Sequence, residues 1–253
     1  MISQVSTRCR TVALCVVLGA LAACTMSTEA SEGTPADPAE DEVLAPLPTI
    51  GLGSSSGDLE TSTGNTADDA DAVESITMIG DSITVASTEQ LYGQFDQLGF
   101  DDVTIVSQQG KRMGETFGDN TSGVRIASYL ASEYDGDPAE NLWIVALGTN
   151  DISQYDDPGE LEAVVDSIID AVPDDSPLIW VNTYFEQHPI DTAAVNAAIS
   201  QAVAERGNAT VGSWNSYAPT DGVISSDGVH PTDAGEIAFA NVVTSTAADF
   251  LGR

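Results

Sequence analysis

Four short clusters in this 253-residue chain carry groups that can do chemistry: Gly80-Asp81-Ser82, Gln109-Gly110-Lys111, Gly148-Thr149-Asn150-Asp151 and Asp227-Gly228-Val229-His230-Pro231. Together they supply a hydroxyl, backbone amides, a side-chain amide, and an imidazole with a carboxylate three residues before it. That is the set needed for acyl transfer through a serine. A serine hydroxyl is a weak nucleophile near neutral pH and needs a base to take its proton. His230 suits the task, since an unperturbed imidazole titrates near pH ~6.5. Asp227, on the same turn, would hold the ring in the right tautomer and stabilise its charged form. The N–H of Ser82, the N–H of Gly110 and the side-chain amide of Asn150 would converge on a developing oxyanion. One such donor is worth about 3–4 kcal/mol.

Those groups need a scaffold that brings distant segments together. From Val73 onward, short apolar runs alternate with helical periodicity, the pattern of βα units around a mostly parallel sheet. Strands are expected at residues 75–79, 103–107, 142–147, 178–183 and 209–212. Leu161, Val164, Val165, Ile168, Ile169 and Val172 form one continuous helical stripe. Val195, Ile199, Ala202 and Val203 share the face of another helix. A last helix is expected to start near Asp233, with Glu236 three residues on completing a capping box. Each cluster then falls at a strand exit or a helix entry, where open α/β sheets bind ligands. The chain has no internal repeat.

Composition narrows the partners. Seven Lys and Arg face 40 Asp and Glu, a formal net charge of −33. Nucleic acid and anionic membrane surfaces need basic patches and are excluded as partners. Two histidines and three cysteines leave too few ligands for a zinc site built from several of them, so no metal and no cofactor is expected. Arg8 and Arg10 precede an apolar run over residues 12–23 that is too short to span a bilayer, the pattern of a signal peptide. Residues 25–72 hold eleven acidic residues and no Lys, Arg or aromatic, so they cannot bury enough apolar surface to fold. The expected organisation is a signal peptide over 1–23, a disordered acidic tether over 24–72 and one α/β domain over 73–253. Cys9 and Cys15 leave with the signal, so the mature chain keeps Cys24 and forms no internal disulfide.

Leu21-Ala22-Ala23-Cys24 resembles the bacterial lipobox. That resemblance implies lipidation of Cys24 and an extracytoplasmic protein that meets the cell membrane only through its lipid anchor. The four clusters, in order and spacing, resemble the four blocks of the SGNH (GDSL) hydrolases across residues 73–253. This implies a three-layer α/β/α flavodoxin-like sandwich with a five-stranded mostly parallel sheet, and a serine esterase or acyltransferase. Ser82 would be the nucleophile, Asp227 and His230 would complete the triad, and Ser82, Gly110 and Asn150 would form the oxyanion hole. The second block is the loosest match, and Gly114 is an alternative donor to Gly110. Trp214, the segment Val195-Asn196-Ala197-Ala198 and the run from Asp227 to Thr232 are similar to the extracytoplasmic domain of peptidoglycan O-acetyltransferases. Those enzymes usually carry a membrane acyltransferase domain in front, which is not expected here. The implied activity is hydrolysis of short acyl esters, chiefly acetyl, on cell-envelope carbohydrate. The alternatives are an O-acyltransferase acting on cell-wall glycan, or a lipase or thioesterase of the same family.

The remaining candidates have blander readings. Asp81 is expected to bind backbone amides beside Ser82, and Asp151 and Asp157 to serve as loop or cap residues. His188 is expected on the loop after the fourth strand, within reach of substrate. Lys111 and Arg112 are either ordinary solvated charges or the contacts for an anionic substrate group. Trp143, Trp180 and Trp214 read as core or pocket wall, with a sugar-stacking role for Trp214 as the other possibility.

Overall fold

The computed structural model describes residues 73–114 and 121–253. The signal segment, Cys24 and the acidic tether expected over 1–72 lie outside the described residues. The five expected strands form within a residue or two of their anticipated ends: β1 (Ser75–Gly80), β2 (Asp102–Ser107), β3 (Asn141–Ala146), β4 (Leu178–Val181) and β5 (Ala209–Gly212). They make one sheet in the order β2-β1-β3-β4-β5, and all four pairings are parallel. β1, β3 and β4 are buried along their whole lengths, as strands covered on both faces are; β3 and β4 are nearly unbroken apolar runs, and in β1 the buried Ser75 and Thr77 hydroxyls donate to Asn141 Oδ1.

Seven α-helices are described: α1 (Ser82–Ala86), α2 (Thr88–Gln97), α3 (Gly123–Glu133), α4 (Pro158–Ile169), α5 (Pro189–Arg206), α6 (Trp214–Tyr217) and α7 (Asp233–Leu251). Alternation along the strands divides the core in two. Ile76, Met78, Leu142, Ile144, Ile179 and Val181 face α1, α2, α6 and α7, where Ile83, Leu91, Phe95, Trp214 and Phe239 cover them. Ile79, Trp143, Val145, Leu178 and Trp180 face α3, α4 and α5, where Ala127, Leu161, Val165, Ile168, Val195 and Ile199 cover them. This is the expected three-layer α/β/α sandwich. All three tryptophans are at most 1% exposed. Trp214 meets Phe239 edge-on at 5.2 Å between ring centroids, so it belongs to the core and not to a sugar platform.

Two local expectations change. α7 is capped one residue earlier than anticipated, by Thr232, whose Oγ1 accepts from Gly235 N at 3.1 Å. Glu236 does not reach back to complete a capping box; it accepts from Gln90 Nε2 at 3.1 Å and ties α7 to α2. Long-range packing thus took the carboxylate that local spacing assigned to the cap. Among the described residues, no helix is long and apolar enough to cross a membrane.

The strand order reverses between β1 and β3, because the chain goes from β1 outward to β2 and then returns to the other side of β1. That reversal opens a crevice at the carboxyl ends of β1 and β3. Gly148 closes the exit of β3 with φ +128°, and a Cβ there would lie 3.0 Å from Val195 Cγ1 and 3.1 Å from Thr183 Cγ2. Gly148→Ala is therefore expected to cost about 2 kcal/mol and lower the melting temperature by roughly 4–8 °C. Thermal unfolding of the variant against the wild type checks this.

Candidate active site

The turn between β1 and α1 is built around a buried carboxylate. Asp81 caps α1: its Oδ1 accepts from Ile83 N at 3.0 Å. Ser82 follows as the first helical residue, with its N–H among those a helix start leaves without an intrahelical partner. At the other end of the domain, residues 223–232 form a tight loop. Ser225 N donates to His230 O at 2.8 Å, Thr232 N donates to Val223 O at 2.9 Å, and Ile224 bridges Pro231. Inside that loop Asp227 Oδ1 accepts from Ser225 Oγ, Val229 N and His230 N at 2.8, 3.0 and 2.9 Å. Its second oxygen, Oδ2, lies 2.7 Å from His230 Nδ1. The opposite ring nitrogen, Nε2, lies 3.0 Å from Ser82 Oγ. Hydroxyl, imidazole and carboxylate thus stand in line across 148 positions of sequence. Such a line can carry a proton from the hydroxyl to the ring while the carboxylate holds the ring's tautomer.

The two carboxylates differ in character. The backbone N–H groups of His230 and Val229 hold the Asp227 carboxyl well below the usual carboxylate range, so it stays ionised. Burial pushes Asp81 the other way, up to about 6, although the Ile83 N–H and the Thr149 side chain favour its charged form.

The exits of β2 and β3 join the same edge. Gln108 N donates to Gly80 O at 3.2 Å, which lays the start of the second cluster beside the β1 exit. Two residues on, Gly110 has φ +70°, and its N–H donates to no described residue. Gly114 lies elsewhere: a Cβ built on it would meet Val164 of α4, so of the two glycines Gly110 is the one beside β1. Asn150, in a short 3-10 turn after β3, donates from Nδ2 to Lys111 O at 3.1 Å and to Asp81 Oδ2 at 3.4 Å. Asp151 is buried and accepts from Met113 N with both oxygens at 3.1 Å, and from Tyr155 OH. It locks the β3 loop onto the β2 loop, a structural role in line with expectation. Asp157 caps α4 through Gly159 N.

Lys111 departs from the reading as a substrate contact. It is 1% exposed, and its Nζ donates to Thr121 O at 3.1 Å and to Gln108 Oε1 at 3.4 Å. Burial lowers its pKa. It works from inside the domain, drawing together the two ends of its loop while its carbonyl holds Asn150. His188 is exposed on the β4–α5 loop, as anticipated, and is not part of the Ser82 line. Sequence reasoning missed Ser225 and Thr149. The Ser-x-Asp spacing before the turn was the available signal for the first; nothing local marked the second. Among the described residues, no group of three or more His, Cys, Asp or Glu could hold a metal ion.

Fold and site together define a hydrolase of the three-layer α/β/α kind. The chain belongs to the GDSL-like lipase/acylhydrolase family, whose sequence profile matches residues 78–236. No curated protein matches the chain. Among solved structures it is similar to the C-terminal catalytic domain of peptidoglycan O-acetyltransferase A from Streptococcus pneumoniae, with 18% identity, 71% of this chain and 95% of that one covered, and a TM-score of 0.51. It is also similar to the psychrotrophic esterase EstA from a Pseudoalteromonas species, with 13% identity, 71% and 100% covered, and a TM-score of 0.56. A carbohydrate acetylesterase family member from Sinorhizobium meliloti gives 13% identity, 72% and 100% covered, and a TM-score of 0.57. At these identities the likeness is one of fold.

The raised Asp81 pKa has a definite sign for stability. The folded value, about 6, lies above the ordinary 3.8, so the folded state holds the extra proton between those pH values. Stability from this group is full below about pH 4 and is lost as pH rises through 6. Asp81→Asn keeps an acceptor for Ile83 N but cannot ionise. Its unfolding free energy relative to wild type should therefore improve by on the order of 3 kcal/mol between pH 4 and 7. Denaturant unfolding across that range checks it, and a pH-independent difference would contradict it.

Proposed function

We propose that the chain is a serine ester hydrolase that removes short acyl groups, chiefly acetyl, from cell-envelope carbohydrate. The observation that carries this reading is the 3.0 Å contact between Ser82 Oγ and His230 Nε2, with Asp227 behind the ring. His230 takes the Ser82 proton as Oγ bonds to the ester carbonyl carbon. The resulting imidazolium, held by the ionised Asp227, returns the proton to the departing alcohol. Water, deprotonated by the same ring, then releases the acid and restores Ser82. The N–H groups of Ser82 and Gly110 and the Nδ2 of Asn150 receive the oxyanion. Of the two Asn150 contacts, the one to Asp81 at 3.4 Å is the longer, and it is the N–H there that turns to the substrate.

One comparison supports a short acyl group on a sugar. The similar structures include a carbohydrate acetylesterase family member and the domain of a peptidoglycan O-acetyltransferase. The second likeness also favours transfer to a glycan as a second reading. A lipid anchor on Cys24 would keep either activity outside the cell membrane and within reach of the envelope.

Ser82→Ala is expected to lower kcat on p-nitrophenyl acetate by at least about a thousandfold with an unchanged unfolding curve. Retained turnover would refute the assignment. His230→Ala should lose far more activity than His188→Ala, and the reverse order would move the base to His188. Across a series of p-nitrophenyl esters, kcat/KM should fall as the acyl chain lengthens. Supplying acyl donor and glycan together separates the two readings: hydrolysis yields free acid, transfer yields acylated sugar.

A further inference from the structure

We propose that Ser153, His188 and Asp191, with the Phe185 ring beside them, form a subsite for the sugar alcohol portion of the ester. The inference rests on the reading of the Ser82 site as an esterase for carbohydrate-borne acyl groups. Ser153 Oγ donates to Asp191 Oδ2 and lies 3.3 Å from His188 Nδ1, and that nitrogen is 3.7 Å from the same carboxylate oxygen. Here the hydroxyl stands between ring and carboxylate. A nucleophilic relay needs the ring in the middle, as at Ser82, so this is not a second copy of that site. It is a fixed array of polar atoms open to solvent, with the His188 and Asp191 side chains 45% and 48% exposed.

Ser153 carries a backbone signature as well. Among the described residues it is the one non-glycine with φ in the left-handed region, +60°. A β-carbon is strained there and glycine is not. The strain is tolerated at the position whose hydroxyl holds His188 and Asp191 together.

The loops that carry the array are tied to the Ser82–His230 line at two points. Ser153 follows Asn150 by three residues, and Asn150 is bonded to Asp81. Glu186 N donates to Gly228 O at 2.9 Å, and Gln187 packs over Gly228, where an added Cβ would meet its amide at 2.3 Å. The loop carrying Phe185 and His188 is thereby pinned to the loop carrying Asp227 and His230. The free edge of the imidazole, the carboxylate and the Phe185 ring, 4.8 Å from the His188 ring, offer donors, acceptors and an apolar face together. That mixture suits a hydroxyl-rich ring with C–H faces. The Asp191 carboxylate and the chain's net charge of −33 disfavour an anionic ligand, so the sugar is neutral.

The test titrates the whole chain with tri-N-acetylchitotriose and follows the imidazole resonances. The chain has two histidines, so His188→Ala assigns both signals. The expected result is a saturable shift of the His188 resonance, with binding about tenfold weaker in Asp191→Asn and in Ser153→Gly. Ser153→Gly relieves the backbone strain, so its melting temperature should not fall and misfolding does not account for its weaker binding. A His188 resonance that stays still, or affinities in both variants within about twofold of wild type, would overturn the subsite. Acetate release from O-acetylated chitotriose is measured beside it. Binding without release refutes the esterase reading and leaves the subsite standing; release without a His188 shift refutes the subsite alone.

Discussion

Five strands running the same way deliver every strand exit to one edge of the sheet, and the reversal of strand order between β1 and β3 leaves a gap there. The chemistry follows from that constraint. Ser82 leaves β1, Asn150 leaves β3, Gly110 leaves β2, and the loop before α7 brings His230 over the gap. Antiparallel pairing would have scattered these groups over two edges. The contact between Ser82 and His230 is a consequence of parallel topology, and the local turns only refine it.

Within the gap, buried polar groups do the joining. Asp81 binds Ile83 N and Asn150, Asp151 binds Met113 N, and Lys111 offers its carbonyl to Asn150 and its ammonium to Thr121 and Gln108. Each of these groups is nearly inaccessible, so each carries a desolvation cost that its hydrogen bonds must offset. Keeping two carboxylates and an ammonium beneath one loop cluster costs stability, and in return it fixes the loops where an apolar filling would let them slide. The strained backbone of Ser153 is a similar cost on the surface side. Asp227 and His230, in contrast, lie about half exposed, where water and substrate can reach the ring.

Most of the scaffold was legible because its signals are local. The stripe from Leu161 to Val172 reflects a period of 3.6, and β3 and β4 are short continuous apolar runs; a single segment reveals either without its neighbours. The residue types in Gly80-Asp81-Ser82 and Asp227-Gly228-Val229-His230 were equally plain, since an imidazole three residues after a carboxylate needs one turn to meet it. The start of α7 near Asp233 was legible, but the capping box was not formed: Thr232 caps the helix, and Glu236 pairs with Gln90, 146 residues away, a partner that local spacing does not reveal.

The amino-acid sequence by itself determined the α/β class, the places of the strands and the parts from which a nucleophile, base and oxyanion site can be made, because these depend on side-chain type and short-range period. Tertiary structure alone decided which parts meet. Lys111 turned inward rather than toward solvent, Trp214 went into the core, and Ser153 came to rest against His188 and Asp191 across more than thirty residues. Such contacts depend on how helices seat against the sheet, and a linear pattern holds no record of a packing that exists only once the layers have closed.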